Sequence, residues 1–328
     1  MTPHGPDQLD ELSGLNGLID RVPGWAGRAR TVEPLDGGIT NRNYRVTLDG
    51  ESFVVRAPGE NTELLGIDRA HEHEAARQAA ALGIGPEVVA FVEPEGSLVT
   101  RFVVGAAAEP GALRAQPWLG EVAALLRVAH GGPPIAAVFD WYRVPQDYAA
   151  TARAHGVDVP PAYDRAMAVA GRVRAAFAVG PEAPCPCHND LLAANFLVAA
   201  GDAGLRLVDW EYAGMNDRYF DLGNFAVNNE LDADDEVALV EAYFGAVTAR
   251  RLARLRLMKV ISDLREAMWG VVQAGVSTLD VDFLDYAGKH FERLLGNASR
   301  PGFDALLDDA AAVPDVVADV VGDTDADA

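Results

Sequence analysis

Residues 187–198 read CHNDLLAANFLV, and a second stretch, 205–212, reads LRLVDWEY. His188-Asn189-Asp190 is followed by four residues and then Asn195; fourteen residues beyond Asn195, after an apolar run, comes Asp209. Each of these residue types is common in caps and turns. In this order, each set against an apolar strand-like stretch, they make a working set. Phosphoryl transfer needs a carboxylate that orients the attacking hydroxyl and takes its proton, which suits Asp190. It also needs hard oxygen ligands for Mg²⁺, and Asn195 with Asp209 offers an amide and a carboxylate. His188 is expected to support this catalytic group by bracing the loop through hydrogen bonds.

The spacing H-x-D-x-x-x-x-N is that of a kinase catalytic loop. Working outward from it, the N-terminal half should hold ATP. Gly37-Gly38-Ile39-Thr40-Asn41-Arg42-Asn43 lies between two strand candidates. Such a loop can aim N–H groups at phosphates, although a Gly-Gly pair by itself is more often only a hairpin. The expected nucleotide contacts are Gly38, Thr40, Asn41 and Asn43. The following strand, FVVRA, carries Arg56 where a kinase carries its strand lysine. The chain's only lysines are Lys259 and Lys289, so no lysine is available in this half. Arginine is permanently charged and grips oxyanions bidentately, so the role survives the exchange. Glu72 and Glu74 follow on a helix, two residues apart and therefore on different sides. Only one can pair with Arg56, and Glu72 is favoured.

Around these motifs the chain divides. Residues 9–22 have roughly helical spacing, 31–57 read as strands turning at Asp49-Gly50, and 67–83 read as a helix ending at Gly83. Strands at 86–92 and 97–104 complete a β-rich third; beyond residue 117 the chain is alanine-rich and helical, with helices dominating 234–298. This is an α+β, bilobal outline of the protein-kinase-like kind, a small β-rich N-lobe and a larger mostly helical C-lobe. The expected boundaries are 1–104, 105–300 and an acidic tail, 301–328. The last 25 residues carry eight acids and no base, which predicts a frayed helix or a solvated tail.

Composition narrows the classes. At 328 residues, 49% of them hydrophobic, the chain can build a sizeable core. A net charge of −22 argues against nucleic acid as a partner. No apolar run is long enough for a membrane span, and the N-terminus MTPHGPDQLDELSG has no signal-like apolar region; a cytoplasmic protein is the expectation. Cys185 and Cys187 stand in a C-P-C stretch with His188 adjacent and no second ligand cluster in sequence, which predicts buried strand-end thiols.

The stretches GGITNRNYRV, FVVRAPGENTELLGIDR, CHNDLLAANFL, VDWEYAGMNDRYFDLGNF and REAMWGVVQAGVSTLDVDFLDYAGKHFERLL resemble the choline/ethanolamine kinases, within the aminoglycoside-phosphotransferase-like group. The resemblance covers about residues 34–297. It implies a kinase fold, ATP between lobes, Mg²⁺, and a small, cationic alcohol held by C-lobe aromatics through cation–π attraction. Arginine at position 56 is typical of choline kinases too. By the same resemblance Glu211, Tyr212, Asn228, Glu266, Trp269 and Tyr286 fall on the substrate side. Asn228 stands where an acid often helps hold the ammonium, and Glu266 where a second cage tryptophan is expected. An acid in place of an aromatic suits a primary amine, such as ethanolamine, or a polyhydroxy acceptor better than trimethylammonium. A kinase of another small alcohol (an aminoglycoside, a sugar or a thiamine-like cation) is the alternative. A nucleotide-binding pseudokinase is disfavoured by the complete set of Asp190, Asn195 and Asp209.

Overall fold

The computed structural model describes residues 14–35, 40–59, 61–201 and 204–312. Its first element, helix α1 (residues 14–20), forms within the expected 9–22 helix and ends two residues earlier; residues 9–13 lie outside the described residues. Strands β1 (Arg30–Leu35), β2 (Asn41–Leu48), β3 (Glu51–Pro58), β4 (Val88–Val92) and β5 (Ser97–Arg101) form an antiparallel sheet in the order β1-β2-β3-β5-β4. The β2–β3 turn is where the Asp-Gly pair predicts it. Asp49 and Gly50 have φ of 50° and 82°, the two left-handed residues a tight hairpin of this twist requires. Leu48 therefore pairs with Glu51, which sets Asn43 opposite Arg56.

Period-two alternation gives this sheet two apolar faces. On one, Leu15, Leu18, Ile19, Val22 and Trp25 from α1 and its exit pack on Val46, Phe53, Val55 and Val99. On the other lies α2 (Arg69–Ala81), whose Asp68 N-cap accepts from the Ala70 and His71 amides at 2.8 and 3.1 Å. Its Ala75, Ala76 and Ala79 are shared with the core of the second lobe.

That lobe contains α3 (Trp118–His130), α4 (Val144–Ala154), α5 (Ala162–Phe177), α6 (Arg218–Asn228), α7 (Ala233–Phe244), α8 (Ala249–Val276), α9 (Phe283–Ala298) and α10 (Phe303–Ala311). Three short strands, β6 (Gly105–Ala107), β8 (Phe196–Ala199) and β9 (Leu205–Leu207), form one sheet, and β7 (Cys185–Cys187) pairs with β10 (Gly214–Asn216). Helix α8, 28 residues long, is the axis on which α4, α6, α9 and α10 pack. Gly223 permits the α6–α8 crossing, because a Cβ there would lie 2.6 Å from the Met258 carbonyl carbon.

One expectation changes. Residues 303–311 are a packed helix rather than a solvated tail: Phe303 and Ala310 are buried, and Arg254 Nε donates to the Ala310 carbonyl at 3.2 Å. Apolar side chains at helical spacing outweigh the acids there; residues 313–328 lie outside the described residues. Cys185 and Cys187 are buried and free, as expected. Tertiary folding, however, brings His130 beside them, an imidazole that sequence distance conceals. Both its ring nitrogens are already engaged, with Tyr243 Oη at 2.6 Å and Asp221 at 3.0 Å. Among the described residues no helix is long and apolar enough to cross a membrane.

Candidate active site

The site grows from two strand ends. Strand β7 leads into His188-Asn189-Asp190, and β9 leads into Val208-Asp209. Val208 ties them: its carbonyl meets His188 Nε2 at 2.9 Å, and its amide donates to the Asn195 carbonyl at 3.0 Å. Asn189 and Asp209 both have φ of 68°, a left-handed conformation that Asn and Asp tolerate better than other L-residues. Asn195 Nδ2 donates to the Asp190 carbonyl at 2.8 Å, which leaves its carboxamide oxygen as a ligand atom.

His188 has no exposed surface, and the Asp190 amide donates to its Nδ1 at 3.3 Å. With both ring nitrogens on backbone groups, it is a brace for the loop. Burial lowers its pKa, which keeps the ring neutral. Asp221, on α6 and fully buried, accepts from the His188 and Asn189 amides at 2.8 and 2.7 Å. One turn along the helix, Asn224 Oδ1 accepts from the Leu191 amide at 2.5 Å, and Asn229 Nδ2 donates to the Leu191 carbonyl at 3.2 Å. The loop backbone is thus held by one helix and its exit.

Toward the five-stranded sheet, Arg56 Nη1 contacts Glu72 Oε1 and donates to Asp209 Oδ1 at 2.7 Å. Glu72 is 2% exposed and makes this contact; Glu74 accepts instead from the Ala136 amide at 3.0 Å. Arg69 Nη1 bridges Glu72 and Glu211 at 2.7 and 3.1 Å. Thr40 and Asn41, expected at the nucleotide, donate to the two oxygens of Glu211 at 2.7 and 2.8 Å. A buried carboxylate needs donors, and these three groups satisfy it. The Glu211 charge is therefore met by Arg69. Asn43, across from Arg56, keeps a buried Oδ1 with no partner among the described residues. Gly38 lies outside the described residues.

On the other side of Asp190 is a residue that the sequence reading passes over. Arg265, 2% exposed, donates from Nη1 to Asp190 Oδ1 at 3.1 Å and to Glu266 Oε1 at 2.6 Å. Its guanidinium lies 4.3 Å over the Tyr212 ring. Glu266 Oε2 accepts from Tyr286 Oη at 2.9 Å, and Trp269 Nε1 donates to Tyr212 Oη at 3.1 Å. The Trp269 and Tyr286 rings meet edge-on at 5.9 Å. The structure thus brings Tyr212, Glu266, Trp269 and Tyr286 together. Asn228 ends α6 with a buried Nδ2 that has no partner among the described residues. Tyr148, on α4, donates to the Leu65 carbonyl at 3.1 Å and so joins the lobes beside this cluster.

Burial dominates the titration of the two central acids. It pushes Asp190 up to about 7 against the pull of Arg265, helped by Glu266, Asp209 and Glu211. Asp209 is likewise pushed up to about 7 by burial, against Arg56 and with Glu211 and Glu72 adding to the rise. Arg265, despite burial, is held above its ordinary value by Glu266 and Asp190.

Two signals could have revealed what was missed. Asp221 and Asn224 are polar residues three apart within the buried stretch 219–227 of α6, so they share one buried side. Arg265-Glu266 is a charged pair directly before the apolar run AMWGVV in a helix whose residues 260–273 are all buried.

The model of the phosphotransferase enzyme family matches residues 31–257. A solved choline/ethanolamine kinase family protein from Mesorhizobium loti superposes with a TM-score of 0.79 and 31% identity, covering 92% of this chain and 99% of that one. Human ethanolamine kinase 2 is 27% identical over 88% of this chain and 81% of its own length. Choline kinase LicA from Streptococcus pneumoniae, at 20% identity and a TM-score of 0.72, shares the fold over 89% of this chain and 99% of its own.

Proposed function

The chain belongs to the phosphotransferase enzyme family and, within it, to the choline/ethanolamine kinase family, and from that premise we propose that it transfers the terminal phosphoryl group of ATP to the hydroxyl of a small amino alcohol. The observation that carries this reading is the double tie at Val208. It fixes Asp190 and Asn195 on one strand end against Asp209 on the next, a base and two metal-type ligands in one rigid frame.

In this reading Asp190 orients the acceptor hydroxyl and takes its proton. A carboxyl raised by burial is better matched to that task near neutral pH than an ordinary aspartate. His188, Asn189 and Asp221 hold the loop in position and touch no reacting atom. Arg56 is the cation for the phosphate oxygens, aimed by Glu72 and Asp209. The carboxamide oxygen of Asn195 and the second oxygen of Asp209 are hard-oxygen donors of the kind Mg²⁺ takes, and these two residues would hold it. Mg²⁺ bound there would neutralise charge on the phosphate oxygens of the nucleotide.

The test is ADP release from Mg²⁺-ATP with ethanolamine, choline, thiamine, aminoglycosides and simple sugars offered in turn. Selective turnover of an amino alcohol is the expected result. Turnover confined to an aminoglycoside or a sugar would replace the acceptor and keep the mechanism, and no ADP release with any of them would overturn the reading.

A further inference from the structure

We propose that Arg265 is a resident cation that takes the seat of an ammonium on the acceptor side, so that the acceptor is read by hydrogen bonds from its N–H or O–H groups and a trimethylammonium is refused. The inference rests on the kinase reading above and narrows its substrate.

Three features of this region would draw in an alkylated ammonium: the face of Tyr212, the Asp190 carboxylate and the Glu266 carboxylate. Arg265 already uses all three. Its guanidinium lies 4.3 Å over the Tyr212 ring, and Nη1 sits 3.1 Å from Asp190 Oδ1 and 2.6 Å from Glu266 Oε1. It belongs to helix α8 and is 2% exposed, so it cannot swing into solvent to make room. A quaternary ammonium entering here would meet a fixed positive charge, with one aromatic face taken and one carboxylate beyond balance. It has no hydrogen to donate to the lone pairs that remain on Glu266.

A primary ammonium or a hydroxyl does. Glu266 Oε2 already accepts one hydrogen bond, from Tyr286 Oη at 2.9 Å, and a carboxylate oxygen can accept another. Arg265 Nε and Nη2 are buried with no partner among the described residues. These are donors for an oxygen of the acceptor, and buried donors left unpaired are costly enough to call for one. Carboxylate acceptors beside guanidinium donors hold a group that both gives and takes hydrogen bonds, as an amino alcohol or a polyol does.

The test is ligand-observed NMR on the full chain with Mg²⁺-ADP, comparing the N-methyl signal of choline with the methylene signals of ethanolamine and glycerol. The expected result is binding of ethanolamine or glycerol at least about tenfold tighter than choline, since a site built for hydrogen bonds rejects an analogue that lacks them. Ethanolamine ahead of glycerol identifies N–H as the group read, and the reverse identifies O–H; either supports the inference. Choline bound as tightly as both, or tighter, overturns it. Replacing Arg265→Met together with Glu266→Trp should move the choline-to-ethanolamine ratio toward choline by about tenfold or more; an unchanged ratio in a folded variant overturns the assignment of Arg265. If that variant does not fold, the wild-type ratio decides alone. Choline bound as tightly as ethanolamine, with ADP released for either, would overturn this inference and keep the kinase reading, whereas no ADP release for any acceptor would overturn the kinase reading itself.

Discussion

Toward the sheet, Arg56 and Arg69 face Glu72, Asp209 and Glu211; toward the proposed acceptor side, Arg265 faces Asp190 and Glu266. In each group the carboxylates outnumber the arginines by one. The first gathers side chains from β3, α2 and the turn after Asp209, with Thr40 and Asn41 added at the β2 edge, so it spans both lobes. The second draws on the catalytic loop and on α8 and α9, within one lobe. The first is held by the meeting of the lobes and in turn holds them. The second rests on helices of a single lobe.

The largest effect should come where the two groups meet. Asp190→Ala is expected to lower turnover about 10⁴-fold, or some 5 kcal/mol of barrier, with ATP affinity kept, as read by single-turnover kinetics and a nucleotide titration. Turnover within tenfold of the wild type would break the assignment of the base. Next, Arg56→Met strands Glu72 and Asp209 at the lobe junction and should cost about 3–4 kcal/mol in denaturant unfolding, along with nucleotide affinity. A loss confined to nucleotide binding would show that this group does not hold the lobes together.

Asp221→Ala probes the scaffold under the acceptor group. It strips the His188 and Asn189 amides of their acceptor, so about 1–3 kcal/mol of stability should go, and kcat should fall more than KM rises. Equal loss in both constants would mean that the loop binds substrate and does not merely aim Asp190. The smallest effect belongs to an arginine of the same type in water. Arg172 pairs with Asp304 while their side chains are 49% and 85% exposed, and Arg172→Ala should cost less than about 1 kcal/mol. A larger loss would implicate its position over Phe303 in seating α10.

Much of the sheet-side group was legible. Arg56 lies at a fixed place in a strand, Glu72 on the following helix, and Asp209 at the end of a second motif, each read from local spacing. What escaped is how Glu211 is satisfied. Its donors, Thr40, Asn41 and Arg69, stand about 140 to 170 residues earlier, and nothing in a linear pattern links a loop residue to a carboxylate so far along. The acceptor group was legible in its aromatics and not in its cation. A buried charge signals only that some partner exists, and Asp190, 75 residues away, becomes that partner when folding brings α8 to the loop after β7.

The sequence by itself determined the two-lobe order of strands and helices, the hairpin at Asp49-Gly50, and the succession Asp190, Asn195, Asp209, because hydrophobic period, turn chemistry and motif spacing are local. The tertiary structure alone decided that Asp221 holds the loop, that Thr40 and Asn41 close on Glu211, and that Arg265 rests on Tyr212 beside Asp190. A buried charge takes the partner that folding brings within hydrogen-bond reach, whatever its distance along the chain.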